Sequence, residues 1–381
     1  MSSSNALPEG IAVDLLFAAR PFTGLEQHGL HILRGLHAVG ASVDVLVPND
    51  VIPELGDAAE GHRLVPFPRV PRGLRLGREQ WSVPWRFGAH PRALPLLHSV
   101  LGVAPMLSGV PLVLTVPDLA YRARPADMHP RARWYFGTLG PRSIRRARRV
   151  MVSSQAICRQ LIDLYHIAPE RVVHVPLCAD PIFTPRPADE VASVRKQFGL
   201  PGHYILYVGT IDPRKDLARL RAAYELLPPD LLNDSALVYV GRTNHGAERL
   251  AKQLRKPGPR AHIIGLDYLP REVLPAIYSG ASVFVYPSRY EGFGLPVLEA
   301  MSCGAPVIVS SAEALAELVA DAGVVLRTQS IEELTQAMER VLRFDDEQTR
   351  LRQAGLTRAK TFSIERLGRE TAEVYRQALA A

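Results

Sequence analysis

Along the chain, short apolar runs alternate with segments whose apolar positions recur every three or four residues. In the first half the short runs are "IAVDLLFA" (from Ile11), "SVDVLVP" (Ser42), "PLVLTV" (Pro111), "RVMVSS" (Arg149) and "RVVHVPL" (Arg171). In the second half they are "YILYVG" (Tyr204), "ALVYVG" (Ala236), "AHIIG" (Ala261), "SVFVYPS" (Ser282), "PVIVSS" (Pro306) and "AGVVLR" (Ala322). Nearly every position in them is apolar. A strand with one wet face alternates, whereas a strand covered on both faces reads as a continuous run, so these predict parallel sheets. Helical periodicity fills the gaps, for example over residues 155–165, 271–278 and 331–342. Strand and helix in alternation predict an α/β architecture. After the proline-bearing stretch "LCADPIFTPRPADE" (residues 177–190) a fresh set of strands begins. The reading is therefore two doubly wound domains with a cleft between them, over residues 1–180 and 181–361. The last segment, "FSIERLGRETAEVYRQAL", predicts an amphipathic helix with Ser363 as its N-cap, so residues 362–381 stand apart as a C-terminal helix.

The 381 residues, 47% of them apolar, suffice for two cores. No apolar run approaches the roughly 18 residues needed to cross a bilayer. The opening "MSSSNALPEG" has neither the basic start nor the apolar stretch of a signal peptide. Cys158, Cys178 and Cys303 are scattered without metal spacing and are expected to be buried thiols. Together these features predict a cytoplasmic protein.

Charge changes the picture in one place. The net charge of +7 is unevenly shared, because Met1–Asp180 holds 20 arginines, no lysine and 14 acids. The stretch from Gly61 to His90 carries Arg63, Arg69, Arg72, Arg75, Arg78 and Arg86 against Glu79 alone, with Trp81 and Trp85 beside them. A surface of this kind suits phosphates, anionic lipid heads or acidic partners, and it equally suits a plain solubilising face. A peripheral contact with the inner membrane face is the expectation drawn from it. Nothing in the pattern points to nucleic acid.

The candidate chemistry lies where strands of the second half end. In "SRYEGFGLPVLEAMSCGAPVI" (residues 288–308) an apolar strand gives way to Glu291, Gly292, Phe293 and Gly294, and then to a helix opened by Leu295 and Pro296. Proline fits the first helical position, where a missing N–H costs least. In open α/β sheets ligands bind beyond the carboxyl ends of strands, where helix N-termini offer unpaired N–H groups to phosphates. Gly292 and Gly294 let backbone approach a ligand. Glu299, in the early turns of the helix, is placed to accept hydrogen bonds from sugar hydroxyls, and Glu291 to face a reacting centre. "LYVGTIDPRKDLARL" sets Gly209, Thr210, Arg214 and Lys215 after a second strand, with two cations suited to phosphate. "VGRTNHG" brings Gly241 to the end of a third. Taken singly, Glu291 also fits a helix-dipole carboxylate, Glu299 an exposed acid, and Arg214 with Lys215 a solvated pair. Together the three strand ends converge on an anionic ligand.

On these motifs the chain resembles the family-4 glycosyltransferases, retaining enzymes of the GT-B fold, whose signature is a glutamate, seven residues and a second glutamate. "YVGTIDPRKDL", "SGASVFVYPS" and "DAGVVL" also fit the family. The resemblance implies two Rossmann-like domains, acceptor-binding then nucleotide-sugar-binding, with a C-terminal helix packing back towards the first. It implies that Arg214 and Lys215 grip the donor diphosphate, that backbone at Gly292, Phe293, Gly294 and Leu295 contacts sugar and phosphate, that Glu299 holds the ribose and that Glu291 faces the donor sugar. On the acceptor side, "TGLEQHGLHIL" resembles the family's glycine-bearing loop, with Gly24 at the turn, and "LLHS" the stretch where the family carries a histidine, here His98. His98 also fits an ordinary strand-end histidine.

Two positions depart from the family. Where it often has His-Asp, this chain has Pro117 and Asp118, and its usual proline before a glutamate is Ala316. The missing histidine puts donor choice in question. The implied reaction is transfer of a hexose, with retention, from a nucleotide diphosphate sugar to a hydroxyl of a glycan or lipid-linked saccharide. The signature's context is most similar to mannosyltransferases. No metal or other cofactor is expected, because the protein supplies the cations and no Asp-x-Asp occurs. The alternatives are a non-catalytic sugar-nucleotide-binding protein, or another GT-B activity such as an epimerase or phosphorylase.

Overall fold

The computed structural model describes residues 7–19, 22, 24–71, 74, 77–87, 94–244, 247–254 and 261–381. Its contacts divide the chain into two compact units, Met1–Cys178 with Phe362–Ala381, and Ala179–Thr361.

The first unit is built on seven strands: β1 (Ala12–Asp14), β2 (Asp44–Pro48), β3 (Arg63–Phe67), β4 (Leu97–Ser99), β5 (Leu112–Val116), β6 (Arg149–Val152) and β7 (Val172–His174). They pair in parallel in the order β3-β2-β1-β4-β5-β6-β7. The central strands are wholly buried, as their continuous apolar runs require. Two strands escape the apolar-run reading. β3 lies at the sheet edge with most of its residues partly exposed, and it contains Pro66. β4 is three residues long with His98 at its centre.

Helix Ile364–Ala380 belongs to this first unit. Ser363 caps it, its hydroxyl accepting from the Arg366 N–H at 3.2 Å. Leu367, Val374, Tyr375 and Ala378 on its inner face join the core beside Leu33 and Leu36 of helix Gly24–Ala38. The two helices cross in backbone contact where Gly35 faces Gly368, and a Cβ on Gly368 would overlap the Gly35 carbonyl. Only glycine permits so close a crossing.

The second unit has β8 (His203–Val208), β9 (Ser235–Val240), β10 (Ile263–Leu266), β11 (Val283–Tyr286), β12 (Val307–Val309) and β13 (Val324–Val325). Their order is β10-β9-β8-β11-β12-β13, again parallel throughout. Strand order reverses between β8 and β11, and a crevice opens at the carboxyl ends of strands where such a reversal occurs. All three cysteines are buried, and none is in a disulfide. Among the described residues no helix is long and apolar enough to cross a membrane.

Candidate active site

The turn after β8 is held by its neighbour. Gly209 N–H donates to Val240 O at 2.9 Å and Ile211 N–H to Arg242 O at 2.8 Å, lacing it to the loop after β9. The fit depends on Gly241, whose φ of +147° suits glycine and whose Cβ would overlap the Gly209 carbonyl. Thr210, between them, is exposed. Asp212 then closes a short turn over Pro213–Lys215. One carboxylate oxygen accepts from the Arg214 N–H at 2.9 Å and the other from the Asn244 amide at 2.8 Å.

This turn drives Lys215 inwards, leaving it 6% exposed. Its ammonium donates to the Tyr286 hydroxyl at 2.7 Å and forms an ion pair with Glu291. Glu291 leaves the end of β11, so the pair bridges the two strands that flank the reversal. Glu291 lies in the loop between β11 and the next helix, yet its side chain is only 9% exposed. Burial pushes the Glu291 carboxyl up, but Lys215 and then Arg214 outweigh it and hold the group below its ordinary range. Burial likewise pulls Lys215 down, against the opposing pull of Glu291. Lysine has three N–H donors, and two are engaged here.

A second link runs between the same loops. Asp216, left-handed at φ +55°, takes Arg289 on both carboxylate oxygens at 2.9 and 3.0 Å and Arg219 at 2.9 Å. The Arg289 N–H reaches Arg214 O at 2.9 Å. Two sequence segments some 75 positions apart are thereby fastened into one surface. The reading of Arg214 and Lys215 as a solvated pair does not hold, since Lys215 is buried and Arg214 is half-buried beside Glu291.

The helix beyond Glu291, Leu295–Ser302, starts from Gly294 at φ +108°, where a Cβ would run into Leu315. Gly292 and Phe293 are buried and Leu295 half-buried. Glu299 projects from the second turn of the helix and is 8% exposed. It accepts from the Tyr278 hydroxyl at 3.0 Å and faces Arg271 at 3.9 Å. Burial raises its pKa to about 7 despite Arg271 and Tyr278. Beneath the site Tyr207, Tyr286, Phe284 and Tyr278 follow one another in ring contact at 5.5–5.9 Å. The Tyr207 hydroxyl donates to Thr210 O at 3.0 Å, so three tyrosines of this ladder each bond a candidate site residue. Among the described residues no cluster of three or more His, Cys, Asp or Glu is placed to hold a metal ion.

The comparisons with known proteins agree with this geometry. Residues 192–358 match the family model for group 1 glycosyl transferases, and residues 22–183 that for Glycosyltransferase Family 4. The O-antigen chain mannosyltransferase B of Escherichia coli is 33% identical over 266 residues, covering 69% of this chain and 70% of that protein. This chain is a family-4, group 1 glycosyltransferase. The serotype-specific mannosyltransferase WbdA of Escherichia coli is 29% identical over 222 residues, 57% of this chain but 27% of that longer protein. The solved structure of WaaG, a glycosyltransferase involved in lipopolysaccharide biosynthesis, superposes with a TM-score of 0.75 at 20% identity, over 96% of this chain and 99% of that one. It shares the GT-B fold.

In the first unit of this glycosyltransferase the expected residues scatter. Gly24 is the exposed first residue of helix Gly24–Ala38. Asp118, half-buried after β5, accepts from the Ala120 N–H at 2.9 Å. His98 does not reach a surface. It is fully buried, with Nδ1 bonded to the Tyr375 hydroxyl at 2.8 Å and Nε2 to the Thr115 hydroxyl at 2.7 Å. Burial pushes its pKa down to about 3, so the ring stays neutral. Both nitrogens hold helix Ile364–Ala380 and β5 to β4, and neither remains for a sugar hydroxyl. The residues missed by sequence reasoning are Tyr278, Tyr286, Asp212, Asp216, Arg271 and Arg289. Asp212 and Asp216 bracket the quoted Arg-Lys pair, a visible signal. Tyr286 was hidden inside an apolar run and Tyr278 in a helical segment.

Proposed function

We propose that this glycosyltransferase moves a mannose from a nucleotide diphosphate mannose to a hydroxyl of a glycan or lipid-linked saccharide, with retention and without a metal. The observation that carries the reading is the buried Lys215–Glu291 pair at the strand-order reversal, with Arg214 adjoining and the start of helix Leu295–Ser302 close in sequence. The names of the mannosyltransferases similar to this chain support mannose.

In this reading the remaining N–H of Lys215, the Arg214 guanidinium and the first N–H groups of helix Leu295–Ser302 meet the charge that grows on the departing diphosphate. Such preorganised donors act most strongly on charge that develops in the transition state. The bond from the anomeric carbon to phosphate oxygen breaks, and a bond to the acceptor oxygen forms on the same face. The acceptor's proton passes to the departing phosphate oxygen, so no enzymic nucleophile is required. Glu291, ionised and held by Lys215, supplies negative charge towards the oxocarbenium-like sugar, and Glu299 accepts from the ribose. The test is incubation with a panel of labelled sugar nucleotides in the presence of chelator, with NMR of the product linkage. An α-linked mannoside from an α-linked donor is expected. An inverted product, strict dependence on added divalent metal, or another sugar transferred in preference would each overturn the corresponding part.

A further inference from the structure

The chain has three tryptophans, Trp81, Trp85 and Trp134, and all three stand in solvent, 52%, 80% and 67% exposed. Tryptophan is among the most buried side chains on average. Here none contributes to a core, although two sizeable cores are available.

The three lie on two adjoining helices of the first unit, Glu79–Phe87 and Pro130–Arg146. The Tyr135 hydroxyl donates to the Glu79 carboxylate and fastens one helix to the other. Gln80 fastens a third segment, donating to Ala104 O at 2.8 Å and accepting from the Met106 N–H at 2.9 Å. The next residue, Leu107, is 73% exposed. Leu74, just ahead of the first helix, is 56% exposed. Five of the nine large apolar side chains exposed among the described residues thus gather on these linked segments.

The exposed charge on the two helices has one sign. Helix Pro130–Arg146 contains no acid and exposes Arg131, Arg133, Arg142 and Arg145. Helix Glu79–Phe87 exposes Arg86, and its one acid, Glu79, is buried. The arginine run expected from sequence contributes less than its count promised. Arg63 and Arg69 pair with Asp44 and Asp50, Arg78 is buried, and Arg72 and Arg75 lie outside the described residues. The cations come instead from the second helix, which sequence reading had not singled out.

We propose that this face docks on an anionic lipid bilayer. Indole rings with one apolar body and one N–H suit the boundary between head groups and acyl chains, and arginines beside them suit anionic head groups. A protein partner would also accept indoles and arginines, and it is the lack of any exposed acid on either helix that favours a uniformly anionic bilayer over a protein surface of mixed charge. The inference stands apart from the donor reading, because it concerns the first unit alone and is measured without turnover.

The protein carries its own probe, since its entire tryptophan fluorescence arises from this face. The full-length protein is titrated with vesicles of phosphatidylcholine alone or with about a third phosphatidylglycerol, at low and high salt, following the emission maximum and co-sedimentation. Binding with a blue shift is expected on the anionic vesicles only, fading as salt screens the surface. Trp85→Ser with Trp134→Ser should lose most of the binding. Arg131→Gln with Arg133→Gln should weaken it by about fivefold per arginine while keeping all three indoles. These positions are exposed, and a thermal melt of each variant checks its folding. Absent vesicle binding, equal binding to neutral and anionic vesicles, or a blue shift with soluble polyphosphate but not with vesicles would each overturn the proposal.

Discussion

On the proposed reading, in which Glu299 accepts from the donor ribose, donor binding depends on pH. Its carboxyl ordinarily ionises near 4.5 and stands here at about 7, raised by burial and only partly restrained by Arg271 and Tyr278. If the ionised form is the one that accepts hydrogen bonds from ribose hydroxyls, about a tenth of the protein is competent at pH 6 and about nine tenths at pH 8. The dissociation constant for a sugar nucleotide should tighten about tenfold over that range and then level off. The diphosphate of a sugar nucleotide is esterified at both ends and does not titrate in this window, so the slope reports the protein. Stability runs the opposite way. A carboxyl whose folded pKa lies above its unfolded value contributes stability that is full below about 4.5 and is lost as pH rises through 7, about 1 kcal/mol of it between pH 6 and 8. Calorimetric titration with the donor at half-unit steps tests the first effect and urea unfolding the second. Glu299→Gln should abolish the binding slope. Tyr278→Phe, which removes a hydrogen bond that favours the ionised form, should move it to higher pH. A constant affinity from pH 6 to 8, or a slope unchanged in Glu299→Gln, would refute the reasoning.

Glu291→Gln keeps a hydrogen-bond acceptor for Lys215 but not its counter-charge, so it should reach the native fold with reduced stability and lose roughly a hundredfold or more in turnover, measured with labelled donor. Glu291→Ala should also lose about 3–5 kcal/mol of stability in urea, because Lys215 is then left buried without its counter-charge. Lys215→Met or Arg214→Ala should weaken a nucleoside diphosphate by about 1.5–3 kcal/mol in calorimetry and leave the bare nucleoside nearly unaffected. Gly368→Ala, forced against the Gly35 carbonyl, should lower stability by about 3 kcal/mol or more, seen as a lower melting temperature. Pro117→His should add a hydrogen bond to the donor sugar worth about 0.5–1.5 kcal/mol and re-rank sugar nucleotides in a competition assay.

The second unit was open to sequence reading for a physical reason. Its four inner strands, β9, β8, β11 and β12, are buried almost throughout and read as apolar runs, the partly buried edge strands β10 and β13 are apolar enough to read the same way, and the glycines and charges of the site fall at the strand ends. In the first unit β3 was hidden by its half-exposed edge position and β4 by its brevity. What no local pattern carries is pairing at a distance. Lys215 and Glu291 are 76 residues apart, and each alone looks like a surface charge. His98 shows the reverse case, in which a polar residue suggestive of a ligand site is consumed by two buried hydroxyls, one of them 277 residues away. The tryptophans were visible by name, but their exposure was not, because it depends on which face of each helix the core takes.

The placement of helix Ile364–Ala380 in the first unit has a consequence for biosynthesis. At about 5–20 residues per second, a ribosome that has just made Cys178 needs roughly 10–40 s more to deliver the segment from Ile364 onwards. Throughout that interval the apolar slot along Leu33 and Leu36 has no occupant, while the second unit can emerge and fold as a continuous piece. The nascent first unit is therefore a natural client for chaperones. A stalled chain lacking the last helix should be cut readily by protease in residues 24–38, while its second unit is already resistant.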